Sequence, residues 1–230
     1  MIPKIIYFYW DSETIHDVLQ DNINFIKKQN KDHLVKVISP NDFIKLLEVN
    51  KPELLFYFNK LNKNLPALRA DYVKYVLLYL YGGVYIDIKS RPKKPLDNLY
   101  KNIDLLLIKE ELTKPHICNS FLVSKPKHIF FKKVIEKCNY NIDNYHTFNI
   151  NINSPKSNVI RLFGTCMIGE VVNNNLSLFN NKNNILIPSK YYSKYIIFSI
   201  VNKTNRRYSK DHYELYTKKH YTKVKEHLVI

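Results

Sequence analysis

RADYVKYVLLYLYGGVYIDIK, residues 69–89, decides how this chain is read. Apart from Arg69, Asp71 and Lys74, the part before the glycines is almost wholly apolar or aromatic, and Pro66 stands just ahead of it. Proline at the first turn and an uninterrupted apolar run predict a helix over 66–81. Gly82 and Gly83, two of only four glycines in 230 residues, sit where a helix end wants a residue able to take positive φ. VYIDI then reads as a strand. Alternate residues of a strand share a face, so Tyr85, Asp87 and Lys89 are expected to line up together. Asp71 and Lys74, three apart, share a face of the helix. Ionised groups on so apolar a helix are costly unless they are paired or used. Two readings follow: a salt bridge within the helix, or a cleft where the pair meets Asp87 and Lys89 across the glycine turn.

Outward from this segment, strands and helices alternate. KIIYFYW (4–10) is a compact apolar run of the kind that forms a buried strand. Residues 13–29 carry Ile15, Val18, Leu19, Ile23 and Ile26 at helical spacing, with Asp11 or Ser12 as the expected cap. HLVKVIS (33–39) is a second strand, followed by helices opening at Pro40 and Pro52. IDLLLIKE (103–110), SFLVS (120–124), NILIP (184–188) and YIIFSIV (195–201) are further strands. PKHIFFKKVIEKC (126–138) reads as an amphipathic helix, and residues 157–174 as helical with a break at Gly164. The Asn-rich stretch 139–158 lacks periodicity and is expected to be a loop or insertion, and 203–230 is a basic, aromatic tail. No repeat or linker divides the chain. The expectation is one α/β domain over 1–230 with a mainly parallel central sheet flanked by helices.

Lysine and arginine number 36 against 20 acidic residues, a formal charge of +16 that favours anionic partners: nucleic acid, phosphorylated molecules or an acidic membrane surface. The three cysteines form no close pair, which fits a reducing compartment. The longest apolar stretch falls short of the ~20 residues that span a bilayer. A soluble, cytoplasmic protein is expected, with peripheral contact to acidic membrane as a variant. The interleaved basic and aromatic tail also suits single-stranded nucleic acid. The charge is spread along the whole chain, however, and no nucleic-acid-binding fold is recognised, so nucleic acid is not the expected partner.

IPKIIYFYW (2–10) followed by RADYVKYVLLYLYGGVYIDIK resembles glycosyltransferase family 32, with its N-terminal I-P-K-I-I-H-x-x-W strand and its later R-A/S-D-x-x-R-Y…G-G-x-Y-x-D-x-D segment. Fainter likenesses follow in NSFLVSKPKHIFF (119–131), FGTCMIGEVV (163–172) and KKHYTK (218–223). The resemblance implies a GT-A type nucleotide-sugar domain. It also implies a retaining transfer of a hexosyl or N-acetylhexosaminyl group, from a UDP- or GDP-linked donor, to a glycan, protein or lipid. Asp71, Asp87 and Lys89 would then carry the chemistry. Tyr9, Trp10, Arg69, Asp71, Lys74, Tyr85, Asp87, Asn119 and His220 would bind the donor, Trp10 against the base, Asp71 on sugar hydroxyls and His220 over the diphosphate.

Two positions depart from the family pattern. Tyr7 stands at the strand-1 histidine, and Lys89 at the last acidic residue of D-x-D. The resemblance implies Mn2+ or Mg2+ at that motif, where Asp87 would be the one acidic ligand left to hold it. A hard cation needs carboxylate oxygens, which an ammonium cannot supply. Lys89, helped by Lys74, Lys93 or His220, is therefore expected to meet the developing charge of the leaving diphosphate. The alternative is a degenerate pocket that binds a sugar nucleotide without catalysis.

Overall fold

The computed structural model describes residues 1–12, 14–111, 115–188, 196–197 and 225–230. The chain runs β1 (Ile5–Tyr9), α1 (Asp17–Gln29), β2 (Leu34–Ile38), α2 (Pro40–Asn50), α3 (Pro52–Lys60), α4 (Pro66–Tyr81), β3 (Gly83–Ile86), β4 (Arg91–Pro92) and α5 (Asp97–Tyr100). It continues through β5 (Leu105–Glu111), β6 (Pro115–Ile117), β7 (Phe121–Ser124), α6 (Ile129–Asp143), α7 (Pro155–Leu162), α8 (Thr165–Asn173), β8 (Asn184–Pro188) and β9 (Ile196–Ile197).

The main sheet has the order β2-β1-β3-β7-β5-β6, with β8 also pairing β5. Strands β2, β1 and β3 are parallel, as are β5 and β8. β7 is antiparallel to both β3 and β5, and β6 is antiparallel to β5. The expected α/β fold is present with a mixed sheet. No described helix separates β5 from β7, and without a long crossover neighbouring strands pair antiparallel. β4 and β9 form a separate two-stranded ladder. The remainder of the strand expected at 195–201, and most of the tail from 203, lie outside the described residues.

Both faces of the sheet are covered, and strand alternation shows it. Tyr7, Tyr9 and Tyr85 point into one core with α2, α3, α4, α6, α7 and α8, while Ile6, Phe8, Val84 and Ile86 point into the other with α1. α4 lies within the first layer and is buried around most of its circumference, which is why its apolar residues show no single stripe.

Three local expectations change. α1 starts at Asp17, and its cap is His16, whose Nδ1 accepts from the Val18 amide at 3.2 Å. Asp11 lies six residues before the helix, and its carboxylate accepts from the Tyr9 hydroxyl at 2.5 Å. The loop expected over 139–158 shrinks, since α6 runs to Asp143 and α7 begins at Pro155. Asparagine is a poor helix former, but here tertiary bonds hold it: Asn139 Oδ1 accepts from Tyr72 Oη at 3.0 Å, and Asn141 Nδ2 donates to Leu162 O at 2.7 Å.

Finally, β3 ends at Ile86 and the chain turns at once, the Ser90 amide donating to Asp87 O at 2.7 Å. Tyr85, Asp87 and Lys89 therefore do not share one strand face.

The glycine pair makes this reversal fit. Gly82 has φ 65° and Gly83 φ 103°. A Cβ on Gly82 would come within 2.5 Å of Pro126 N and 2.8 Å of Ser124 O; one on Gly83 would come within 2.6 Å of Ile5 O. These atoms are backbone and cannot step aside. Gly82→Ala combines strain of about 1–3 kcal/mol with overpacking of similar size. We expect a loss of at least about 2 kcal/mol in urea unfolding, with Tm falling by about 4–8 °C. An unchanged midpoint would show that the turn relaxes.

Candidate active site

The C-terminal ends of β1 and β3 and the first half of α4 open onto a cleft of about 370 Å³. Tyr9, Trp10 and Asp11 come from β1 and its end, and Ala70, Asp71 and Lys74 from α4. Tyr85, Asp87, Ile88 and Lys89 come from β3 and its turn, Asn119 from the approach to β7, and Lys156, Val159, Ile160, Gly164 and Thr165 from α7 and α8.

Lys74 is the centre of this arrangement. Its ammonium lies 2.9 Å from Asp71 Oδ1, 3.4 Å from Asp87 Oδ1 and 3.0 Å from Asn119 O, with the Tyr85 ring centroid 4.6 Å away. The Lys74 side chain is 2% exposed and that of Asp71 9%, whereas Asp87 is 37% exposed. Asn119 Nδ2 donates to Asp71 Oδ1 at 2.9 Å. The within-helix pair and the cleft meeting, two readings of the same sequence, are thus both realised. Burial pushes the Asp71 carboxyl up to about 6 against the opposing pull of Lys74, and the two carboxylates together raise Lys74 despite its burial. Gly164 lies close enough to this carboxylate that a Cβ there would stand 3.3 Å from Asp71 Oδ2.

The other expected residues divide. Tyr9 and Trp10 line the cleft, with Trp10 Nε1 donating to Thr14 O at 2.8 Å. Burial raises the Tyr9 hydroxyl, and burial also raises Asp11. Tyr85, Asp87, Lys89 and Asn119 are all at the cleft: Tyr85 from β3 itself, Asp87 and Lys89 by the turn after β3 instead of by strand alternation, and Asn119 from the approach to β7. Arg69 is buried with its guanidinium 4.1 Å from the Phe58 ring centroid and does not line the cleft. Its position on α4 turns it toward α3. Lys93 is absent from the lining, and Tyr7 is buried in the core beside Gly83. His220 lies outside the described residues.

Sequence reasoning missed the wall built by α7 and α8, with Lys156 and Thr165. The break at Gly164 was its signal. No group of three His, Cys, Asp or Glu able to hold a metal gathers among the described residues. A hard cation wants several oxygen ligands. Asp87 offers one carboxylate, already shared with Lys74, and Lys89 follows it in the turn. The described residues therefore do not fit a divalent-cation site.

A profile of the family described as "Glycosyltransferase sugar-binding region containing DXD motif" matches residues 16–106, which include α4, the glycine turn and Asp87. Over that segment the chain is similar to this glycosyltransferase family. Inositol phosphoceramide mannosyltransferase 1 of Schizosaccharomyces pombe is 26% identical over 143 residues, covering 58% of this chain and 42% of that protein. A mannosyl phosphorylinositol ceramide synthase of Saccharomyces cerevisiae is 36% identical over 81 residues, covering 35% of this chain and 21% of that protein. The chain thus spans less than half the length of these relatives. Among solved structures, PaToxG glycosyltransferase superposes with a TM-score of 0.58 at 15% identity, over 79% of this chain and 74% of that one. The UDP-bound glycosyltransferase domain of the YGT toxin gives 0.59 at 8% identity, over 81% and 79%. The fold of this chain is accordingly that of GT-A glycosyltransferases.

Removing Lys74 tests the buried network. Lys74→Met strands Asp71 as a charge with no cation beside it, while the more exposed Asp87 keeps water as an alternative. Breaking a buried pair this way costs about 3 kcal/mol or more in denaturant unfolding. In folded protein, carboxyl ¹³C titration should place Asp71 near pH 6 in the wild type and higher in the variant, since Lys74 is what lowers it. An unmoved midpoint would mean that Lys74 is not its partner.

Proposed function

We propose that this protein is a retaining glycosyltransferase that moves a hexosyl group from a UDP- or GDP-linked donor to a lipid acceptor. The observation that carries the reading is convergence: the segment matched by the family profile delivers Asp71, Lys74, Tyr85 and Asp87 to the same cleft as Trp10. In a donor complex, Tyr9 and Trp10 flank the nucleobase. The Asp71 carboxylate accepts from sugar hydroxyls, and the amide of Asn119, bonded to it, closes the sugar pocket. Asp87, the most exposed of the network, faces the ribose and the diphosphate end. Lys74 holds both carboxylates in place, so that donor recognition requires little rearrangement.

A lipid acceptor is supported by the names of the relatives, which specify mannosyl transfer to inositol phosphoceramide in one case and synthesis of a mannosylated phosphorylinositol ceramide in the other. Among the described residues no helix is long and apolar enough to cross a membrane. A charge of +16 supports peripheral approach to an anionic lipid surface, where each basic residue near the surface contributes about 1 kcal/mol.

Calorimetric titration with UDP and GDP is the first check, and micromolar binding of one of them is expected. Asp87→Asn should then reduce transfer by about a hundredfold or more, ~2.7 kcal/mol in barrier, with the circular dichroism spectrum retained because the residue is partly exposed. Near-native turnover of that variant would remove Asp87 from the chemistry. Failure of every nucleoside diphosphate to bind would overturn the donor reading.

A further inference from the structure

Three carboxylates (Asp11, Asp71 and Asp87) and three ammonium groups (Lys74, Lys89 and Lys156) line the cleft. Lys74 is committed, since it sits between Asp71 and Asp87 with Asn119 O as a further acceptor. That trio carries a net negative charge when ionised, which repels a diphosphate. No described carboxylate pairs with Lys89 or Lys156 among the ion pairs of the structure.

We infer that Lys89 and Lys156 together grip the donor's diphosphate and take the place of a divalent cation in this cleft. The inference rests on the donor reading above and assigns a role to Lys156, which the sequence alone did not single out.

Lys89 stands on a turn that is built, not merely present. The Ser90 amide donates to Asp87 O at 2.7 Å, and the Asp87 amide to Ser120 O at 2.8 Å. The fully buried Asn22 of α1 donates through Nδ2 to both Ile88 O and Ser90 O at 2.9 Å, while its Oδ1 accepts from Arg91 Nε at 2.7 Å. The carbonyls on either side of Lys89 are thus clamped by one core side chain, which fixes the point on the backbone from which Lys89 reaches the cleft. Lys156 comes from a separate element, the first turn of α7. It shares a helix face with Val159 and Ile160, which also line the cleft. That helix is steadied by Asn158 Nδ2 donating to Asn151 O at 2.8 Å. Lys156 is exposed, and its long stem lets the head follow the ligand from the rim. Two ammonium groups from two separate elements give a diphosphate two point charges, an arrangement lysine suits.

The test is calorimetric titration of UDP, GDP and their nucleosides in EDTA, on wild type, Lys89→Ala, Lys156→Ala and the double variant. The expected result is diphosphate binding in EDTA that weakens about tenfold in each single variant and further in the double. Nucleoside affinity should not change, and Lys89→Asp should bind diphosphate only when Mn2+ is added. Diphosphate binding that vanishes in EDTA, returns with Mn2+ and ignores Lys156→Ala would overturn the inference while leaving the donor reading intact. Wild-type protein that binds no diphosphate, with or without Mn2+, would overturn both. Both lysines are at least partly exposed, so their alanine variants should fold, and an unchanged thermal midpoint confirms it.

Discussion

The site depends on one buried ammonium. Lys74 is taken out of water on a helix with almost no other polar surface, and that would be prohibitive if it were not met by Asp71, Asp87 and a backbone carbonyl together. The partners come from three places: the preceding turn of α4, the end of β3 and the approach to β7. Satisfying Lys74 therefore fixes the distance between the helix and the sheet. It also fixes the direction of both carboxylates, because each has an oxygen held toward the same nitrogen. Replacing such a cluster with hydrocarbon often costs nothing in stability, so its presence here fits a role in placing charge at the cleft floor.

The glycine pair is the complementary constraint. α4 must end, reverse and enter the sheet between β1 and β7 without a spacer, and the backbone passes too close to Ile5, Ser124 and Pro126 for any Cβ. With that reversal, Asp71 and Asp87, sixteen positions apart in sequence, come to flank one lysine. In this sense the sparing use of glycine elsewhere sharpens the meaning of the two that stand together.

How much of this was legible in the sequence varies with the kind of signal. α4 was readable to the residue because Pro66 and Gly82 punctuate it, and β1 because its apolar run has no helical interpretation at that length. Neither signal could reveal that β3 stops at Ile86, since Asp87, Ile88 and Lys89 continue the alternation of a strand. What ends it is tertiary: the grip of Asn22 on the following carbonyls. The Asn-rich 139–158 stretch misled for a similar reason, as its propensity is poor and its helix is held by bonds to distant residues. Lys74 was legible both as a salt-bridge partner of Asp71 and as a cleft cation, but as alternatives and not as one arrangement. Only the geometry shows that its charge is already used, and that Lys156, inconspicuous in a basic chain, lines the same cleft.

The most direct measurement is a crystal structure with a bound nucleoside diphosphate, grown in the presence of chelator. We expect the base against Tyr9 and Trp10, Lys74 still bonded to Asp71 and Asp87, and the phosphates facing Lys89 and Lys156. A structure in which Lys74 leaves its carboxylates to hold the phosphates, or in which the nucleotide binds outside this cleft, would contradict it.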